Sequence, residues 1–169
     1  YPEVRVDLVL DDRRGRILER DFDVAIAVGR PSSDTFVVRR LTDLRSAVCA
    51  SPAYLARHPA PTSPEALTGH NCLVYSYSNA PDVWTFSRRG KTRTITVSGS
   101  CSVNNSEALC QLVRDGLGIA RLPTYIAGAY LADGRLQDLF PDYSMPSVPL
   151  VVVLPERRYL PQRSRAFVD

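Results

Sequence analysis

Residues 101–123 constrain the fold of this chain more tightly than any other stretch. Residues 101–103 are a predicted strand that ends at Asn104, and apolar residues three and four positions apart then indicate a helix. Gly116 ends that helix, and residues 119–122 form a second predicted strand. A strand, a helix and a strand in this order predict a βαβ unit with parallel strands and a right-handed crossover.

The beginning of the chain predicts a second unit of the same kind. Residues 4–10 alternate between apolar and polar side chains, which is typical of a strand with one covered face. Asp11 and Asp12 then begin a predicted helix. Residues 22–28 are almost wholly apolar after Asp23, as in a parallel strand that is buried on both faces.

The remaining elements complete an α/β pattern. Further strands are predicted at 36–41, 45–50, 72–75, 83–86, 92–97, 136–139 and 150–154, with 83–86 and 92–97 as an antiparallel pair. Helical segments are predicted after Ser51, at 63–67, at 124–132 and at 162–168. Two βαβ units and a late returning strand predict two lobes: 1–42 with 150–169, and 43–149. Folds of this kind bind small ligands in a cleft beyond the carboxyl ends of their strands.

Composition limits the class of protein. The four cysteines have no metal-ligand spacing, and three of them lie in apolar segments, so we expect buried thiols in a reducing, cytoplasmic environment. The chain has 21 Lys and Arg against 18 Asp and Glu, a balance that indicates no nucleic-acid surface. No apolar run has the length of a membrane span, and the first residues do not resemble a signal peptide.

Signals for catalysis are missing from the sequence. It has no nucleophile elbow, no P-loop and no dinucleotide-binding glycine pattern. His58 and His70 have no matching cysteine or carboxylate that would indicate a metal site. We therefore expect no catalytic residue, no metal and no cofactor, and we predict that the chain is not an enzyme.

Four loops that follow predicted strands are the candidate ligand site. A helix N-terminus presents unpaired N–H groups and suits an anion, which favours the loop before the second-lobe helix. Simple capping of that helix is an equal alternative for its residues. For Arg30 a solvated loop arginine is the favoured alternative, and Trp84 and Phe86 are expected in the core. The candidate residues are Asp12, Gly29, Arg30, Ser76, Tyr77, Asn104, Asn105 and Ser106.

Segments along the whole chain resemble, in order, the effector-binding domain of LysR-type transcription regulators. These segments are YPEVRV at 1–6, FDVAIAVG at 22–29, ASPAYL at 50–55, HNCLVY at 70–75, WTF at 84–86, NSEAL at 105–109, GLGIA at 116–120 and RAFVD at 165–169. No single segment decides the matter, but their ordered spacing is a specific signal.

The resemblance implies the fold of type 2 periplasmic binding proteins, with two Rossmann-like lobes and a central cleft for a small organic effector. It implies self-association into dimers, and tetramers at full length, and contact with promoter DNA only through an N-terminal domain that is absent from this chain. Relative to the family pattern, the first strand and helix and the last helix are expected to be truncated. A solute-binding receptor of a transporter, which has the same fold, is the alternative; the apolar free cysteines favour the regulator.

Overall fold

The computed structural model describes residues 4–12, 22–31 and 35–155. These residues form two compact units: Leu44–Ser147 is the larger, and the flanking segments belong to the smaller. The predicted lobes, 1–42 with 150–169 and 43–149, include residues outside the described part and stay a prediction. The strands are β1 Ala25–Val28, β2 Phe36–Leu44, β3 Ser46–Ala50, β4 Cys72–Tyr75, β5 Val83–Arg88, β6 Lys91–Thr96, β7 Ser102–Val103, β8 Ile119–Pro123, β9 Gln137–Asp138 and β10 Val148–Pro155; the helices are α1 Pro52–Leu55, a 3-10 helix Pro64–Gly69, α2 Ser106–Arg114 and α3 Thr124–Ala132.

The smaller unit contains a three-stranded sheet in the order β1-β10-β2. β1 runs antiparallel to β10, with Ala25 opposite Val153 and Val28 opposite Leu150. The middle strand is the best buried, since β10 has two neighbours in the sheet and its central residues, Val151 and Val153, are almost wholly covered.

The predicted first βαβ unit is wrong. Residues 4–10 form no strand, and Leu10 is 85% exposed. An alternating pattern indicates which face of a strand would be covered. It does not guarantee a neighbouring strand whose backbone can bond to the N–H and C=O groups of this segment. β1 pairs with β10 instead, antiparallel, and Ile26 and Val28 are exposed, which contradicts burial on both faces. The predicted helices after Asp12 and at 162–168 lie outside the described residues.

The larger unit contains a five-stranded sheet in the order β7-β4-β8-β3-β9. β4 is parallel to both β7 and β8, whereas β3 runs antiparallel to β8 and β9. The βαβ unit predicted at 101–123 is therefore confirmed as β7-α2-β8, with β4 lying between its two strands. The buried residues of α2 pack on one face of the sheet; they are Leu109, Cys110 and Val113.

A second core lies in the same unit, around the β5-β6 hairpin. Trp84 and Phe86 on β5 are each 1% exposed, which confirms that they belong to the core. They pack in one cluster with Tyr54, Leu67 and other buried residues. The predicted antiparallel pair is also confirmed, and its two-residue turn has Arg89 at φ 49 and Gly90 at φ 76, as a tight hairpin turn requires.

A junction of hydrogen bonds holds the beginnings of β4 and β8 together. The Asn71 side chain donates to Leu117 O (2.7 Å) and accepts from Ser100 N (2.7 Å). Its backbone carbonyl accepts from Ile119 N at 2.9 Å. We call these bonds from Asn71 to Ser100, Leu117 and Ile119 the Asn71 junction. They fix the register at which the parallel strands begin.

Glycine is required where the chain passes this junction. A Cβ on Gly118 would overlap the carbonyl oxygen of Asn71 and touch Leu73, whereas a Cβ on Gly128, inside α3, would meet nothing within 4 Å. We therefore expect Gly118→Ala to lower the free energy of unfolding by about 1–3 kcal/mol through overpacking. Gly128→Ala, the matched control, should raise it by about 0.5–1 kcal/mol because alanine is the better helix former.

Urea unfolding measures both effects, with the single tryptophan, Trp84, as the fluorescent reporter in the larger unit. Equal stability of the two variants would contradict the close packing inferred at Gly118.

Candidate functional site

The candidate site begins where the parallel strands of the larger unit end. The carboxyl ends of β4, β7 and β8 meet at one edge of the sheet because these strands run in the same direction. Ser76 N donates to Val103 O at 2.9 Å, which joins the loop after β4 to the end of β7. Five predicted site residues lie at this edge, which we call the polar edge: Ser76, Tyr77, Asn104 and Asn105 in the loops, and Ser106 as the first residue of α2.

Asn105 is the N-cap of α2. Its backbone is extended (φ −128°, ψ 125°), and its side-chain oxygen accepts from Ala108 N at 2.8 Å. The capping alternative is therefore the observed state of Asn105. The N–H groups of Ser106 and Glu107 precede the first residue that can bond within the helix, so this end of α2 retains donors for an anion.

Contacts among neighbouring side chains give the polar edge its chemistry. Asn104 Nδ2 donates to the Tyr77 hydroxyl at 3.3 Å, and the Tyr77 ring packs edge-on against Tyr75, with ring centroids 6.1 Å apart. Arg121 on β8 is half-buried, and its Nη2 lies 3.5 Å from the hydroxyl of Ser78 in the loop after β4. The edge thus carries amide and hydroxyl groups, an aromatic ring and one guanidinium.

Sequence reasoning missed Arg121. The residue lies inside a segment, 119–122, that is otherwise apolar and was predicted only as a strand. The one available signal was a charge near the carboxyl end of a strand whose other central residues, Ala120 and Leu122, are fully buried. A charge in that position has to reach the end of the sheet or a polar partner.

The other predicted site residues belong to the smaller unit. Gly29 follows β1 at φ +87, in the left-handed region that favours glycine, and its N–H donates to Pro149 O at 2.8 Å. Arg30 is exposed. Asp12 is also exposed, and it follows a segment that is not a strand, so its predicted place at a strand end is wrong.

The cysteines lie mainly in the core. Cys49, Cys72 and Cys110 are buried and Cys101 is partly buried, and all four are free thiols. Burial raises the pKa of Cys49 and Cys110, and it raises the pKa of Cys72 to about 12. The prediction of buried thiols is confirmed for these three. Across the described ranges, no group of three or more His, Cys, Asp or Glu side chains is placed to hold a metal ion.

This fold, with its polar edge at the ends of parallel strands, defines an α/β ligand-binding domain. A family model described as the LysR substrate binding domain matches residues 1–169. The chain therefore belongs to the LysR substrate-binding domain family, and the predicted periplasmic-binding-protein-like fold is confirmed. No helix in the described ranges is both long enough and apolar enough to cross a membrane.

Relatives and solved structures agree with this assignment. The HTH-type transcriptional regulator PtxR of Pseudomonas aeruginosa is 30% identical over 169 residues, which are 100% of this chain and 54% of that protein. The CrgA regulatory domain of Neisseria meningitidis is 30% identical with a TM-score of 0.87, covering 100% of this chain and 83% of that one. The AphB regulatory domain of Vibrio vulnificus is 27% identical with a TM-score of 0.76, at the same two coverages. The chain spans about half the length of the curated relatives it matches.

Substitutions of Asn105 separate capping from ligand binding. Asn105→Ala removes the cap of α2 and should lower the free energy of unfolding by about 0.5–2 kcal/mol. Asn105→Asp keeps a good capping group and should leave the urea midpoint nearly unchanged. Urea unfolding with Trp84 fluorescence checks both, and an alanine variant as stable as the aspartate variant would contradict the capping role.

Thiol labelling tests the burial of the cysteines. With a thiol reagent at neutral pH, Cys101 should react first, because it is only partly buried. Cys49, Cys72 and Cys110 should react only after urea unfolds the chain, since burial both blocks access and disfavours the reactive thiolate. Mass spectrometry of peptides identifies the labelled residues, and rapid labelling of Cys72 in the folded chain would contradict this expectation.

Proposed function

We propose that this chain is the effector-sensing domain of a LysR-type transcription regulator and that its effector is a small organic anion. Membership of the LysR substrate-binding domain family supports the regulatory role. The observation that carries the site is the N-terminus of α2 at the polar edge, where helix N–H groups point beyond the ends of parallel strands.

The chemistry of the polar edge favours a carboxylate with an apolar body. In this proposal the N–H groups of Ser106 and Glu107 bind the carboxylate, and Arg121 adds a charge-assisted contact. The Tyr77 ring packs against the apolar part, and the amide of Asn104 and the hydroxyl of Ser76 orient polar substituents. Asp12, Gly29 and Arg30 lie in the smaller unit, and their role in effector binding stays a prediction.

The proposed mechanism is a shift between conformations that already exist. An effector that binds one arrangement more tightly increases its population, and a coupling of about 1–3 kcal/mol suffices for regulation. Self-association of the domains, as dimers or as tetramers at full length, would carry this change to an N-terminal DNA-binding domain. The proposal includes a cytoplasmic location and no catalytic step.

A solute-binding receptor is the second candidate, because it shares the fold. The matched relatives favour the regulator, since PtxR is named an HTH-type transcriptional regulator and TtdR of Escherichia coli an HTH-type transcriptional activator. The gene sequence upstream of Tyr1 distinguishes the two candidates. A winged helix-turn-helix and a linker helix support the regulator, and a signal peptide would overturn it.

Thermal shift assays test the ligand class. The chain is screened against short mono- and dicarboxylic acids and, in parallel, against their primary amides. Acids are expected to raise the melting temperature where the matching amides do not. Asn105→Asp should abolish this shift by repulsion while keeping the melting temperature of the free protein. Equal responses to acids and amides, or an unchanged response of the aspartate variant, would contradict an anion site at α2.

A further inference from the structure

Tyr54 connects two histidines to the Asn71 junction, one through its hydroxyl group and the other through its ring. Tyr54 is 2% exposed, and its hydroxyl oxygen lies 3.1 Å from His70 Nδ1. The same oxygen accepts from the backbone N–H of Asn71 at 3.3 Å. The His58 ring stacks on the Tyr54 ring, with centroids 4.5 Å apart. No pattern in the sequence indicates that these residues meet, because the two histidines belong to different elements.

The hydrogen bonds of Tyr54 are all satisfied only when His70 Nδ1 carries no proton. A tyrosine hydroxyl has one proton to donate, and its oxygen accepts from other groups. Because the oxygen already accepts from Asn71 N–H, its own proton is directed to His70 Nδ1. This geometry assigns His70 as the neutral tautomer with its proton on Nε2.

Protonation of His70 breaks this arrangement. Nδ1 then becomes a donor, so that it and Asn71 N–H both donate to the Tyr54 oxygen, and the buried hydroxyl proton loses its acceptor. A buried polar group without its partner is unfavourable. Protonation therefore weakens the hydrogen bond from Asn71 N–H to the Tyr54 oxygen. The starts of β4 and β8 depend on Asn71.

Burial and the neighbouring His58 oppose a proton on His70. From the turn after α1, His58 faces it as a second imidazole, and Arg57 donates to Gly116 O at 2.6 Å. From β4, the buried Cys72 thiol interacts with Tyr54. No carboxylate in the described part of the chain contacts either Tyr54 or His70. Burial, and then His58, lower the pKa of His70 below its ordinary value of 6.5.

We propose that Tyr54 and His70 form a proton switch, in which proton uptake by His70 loosens the Asn71 junction and destabilises the larger unit. The direction follows from linkage. The folded state binds the proton more weakly than the unfolded state, so this contribution to stability is complete above pH 6.5 and is lost as the pH falls below that value. The proposal of this switch does not rest on the proposed effector site or on the DNA-binding function.

Urea unfolding between about pH 8 and about pH 5 tests the switch in three forms of the chain, across the range in which histidine titrates. Trp84 is a suitable reporter because it shares a core cluster with Tyr54. In the wild-type chain the urea midpoint should shift to lower concentration as the pH falls through 6.5. In His70→Gln, whose side-chain carbonyl is a permanent acceptor for the Tyr54 hydroxyl, most of this shift should disappear.

His58→Gln is the matched control, because it removes the neighbouring imidazole but leaves the bond between Tyr54 and His70. It should retain most of the wild-type shift. Carboxylates elsewhere titrate alike in all three forms and cancel in the comparison. A shift of wild-type size in His70→Gln would overturn the proposal.

A second measurement does not depend on how the His70 variant folds. The chain has only two histidines, so proton NMR resolves their titrations, and His58→Gln assigns them. The pKa of His70 should lie below 6.5, and protection of the Ile119 amide from hydrogen exchange should decrease as His70 protonates. A pKa of His70 at or above 6.5, or protection of Ile119 that does not follow the titration, would overturn the switch.

Discussion

The hydrogen bonds of Asn71 set the position of the parallel strands on which the rest of the larger unit depends. They hold the start of β4 against the start of β8 and against Ser100, just before β7. β4 has four residues, so its far end lies only about 13 Å away at about 3.3 Å per residue. A register shift at the junction would move the whole polar edge, because successive strand residues point to opposite faces of the sheet.

The elements of the larger unit could be predicted because their signals are local. β4 and α3 have the predicted bounds, 72–75 and 124–132. The helix after Ser51 and the hairpin turn at Gly90 follow from capping and turn preferences that neighbouring residues impose. The parallel order of β7 and β8 also followed from the sequence, since a short helical crossover permits little else.

Strand partners and side-chain contacts could not be predicted in the same way. The apolar pattern of β1 indicated a strand, but its neighbour, β10, comes from the other end of the described chain. Five of the candidate residues lie together at the polar edge because each follows a parallel strand, and their role in binding stays a prediction. Arg121 and the contact between Tyr54 and His70 were missed, because tertiary packing alone determines which polar groups meet across different elements.

The helix α2 joins the two places where chemistry is proposed. Its N-terminus, capped by Asn105, lies at the polar edge, and the turn after its C-terminus is bound by Arg57 at Gly116 and by Asn71 at Leu117. If a ligand displaced the first turn of α2 and the helix moved as one body, the hydrogen bonds of the Asn71 junction would be strained as well. Linkage is reciprocal: if effector binding changes the proton affinity of His70 by some factor, protonation of His70 changes effector affinity by that same factor. With a neutral His70 the hydrogen bonds of the Asn71 junction are intact. A ligand that requires these bonds would bind more weakly in acid, whereas a ligand that requires them broken would bind more tightly.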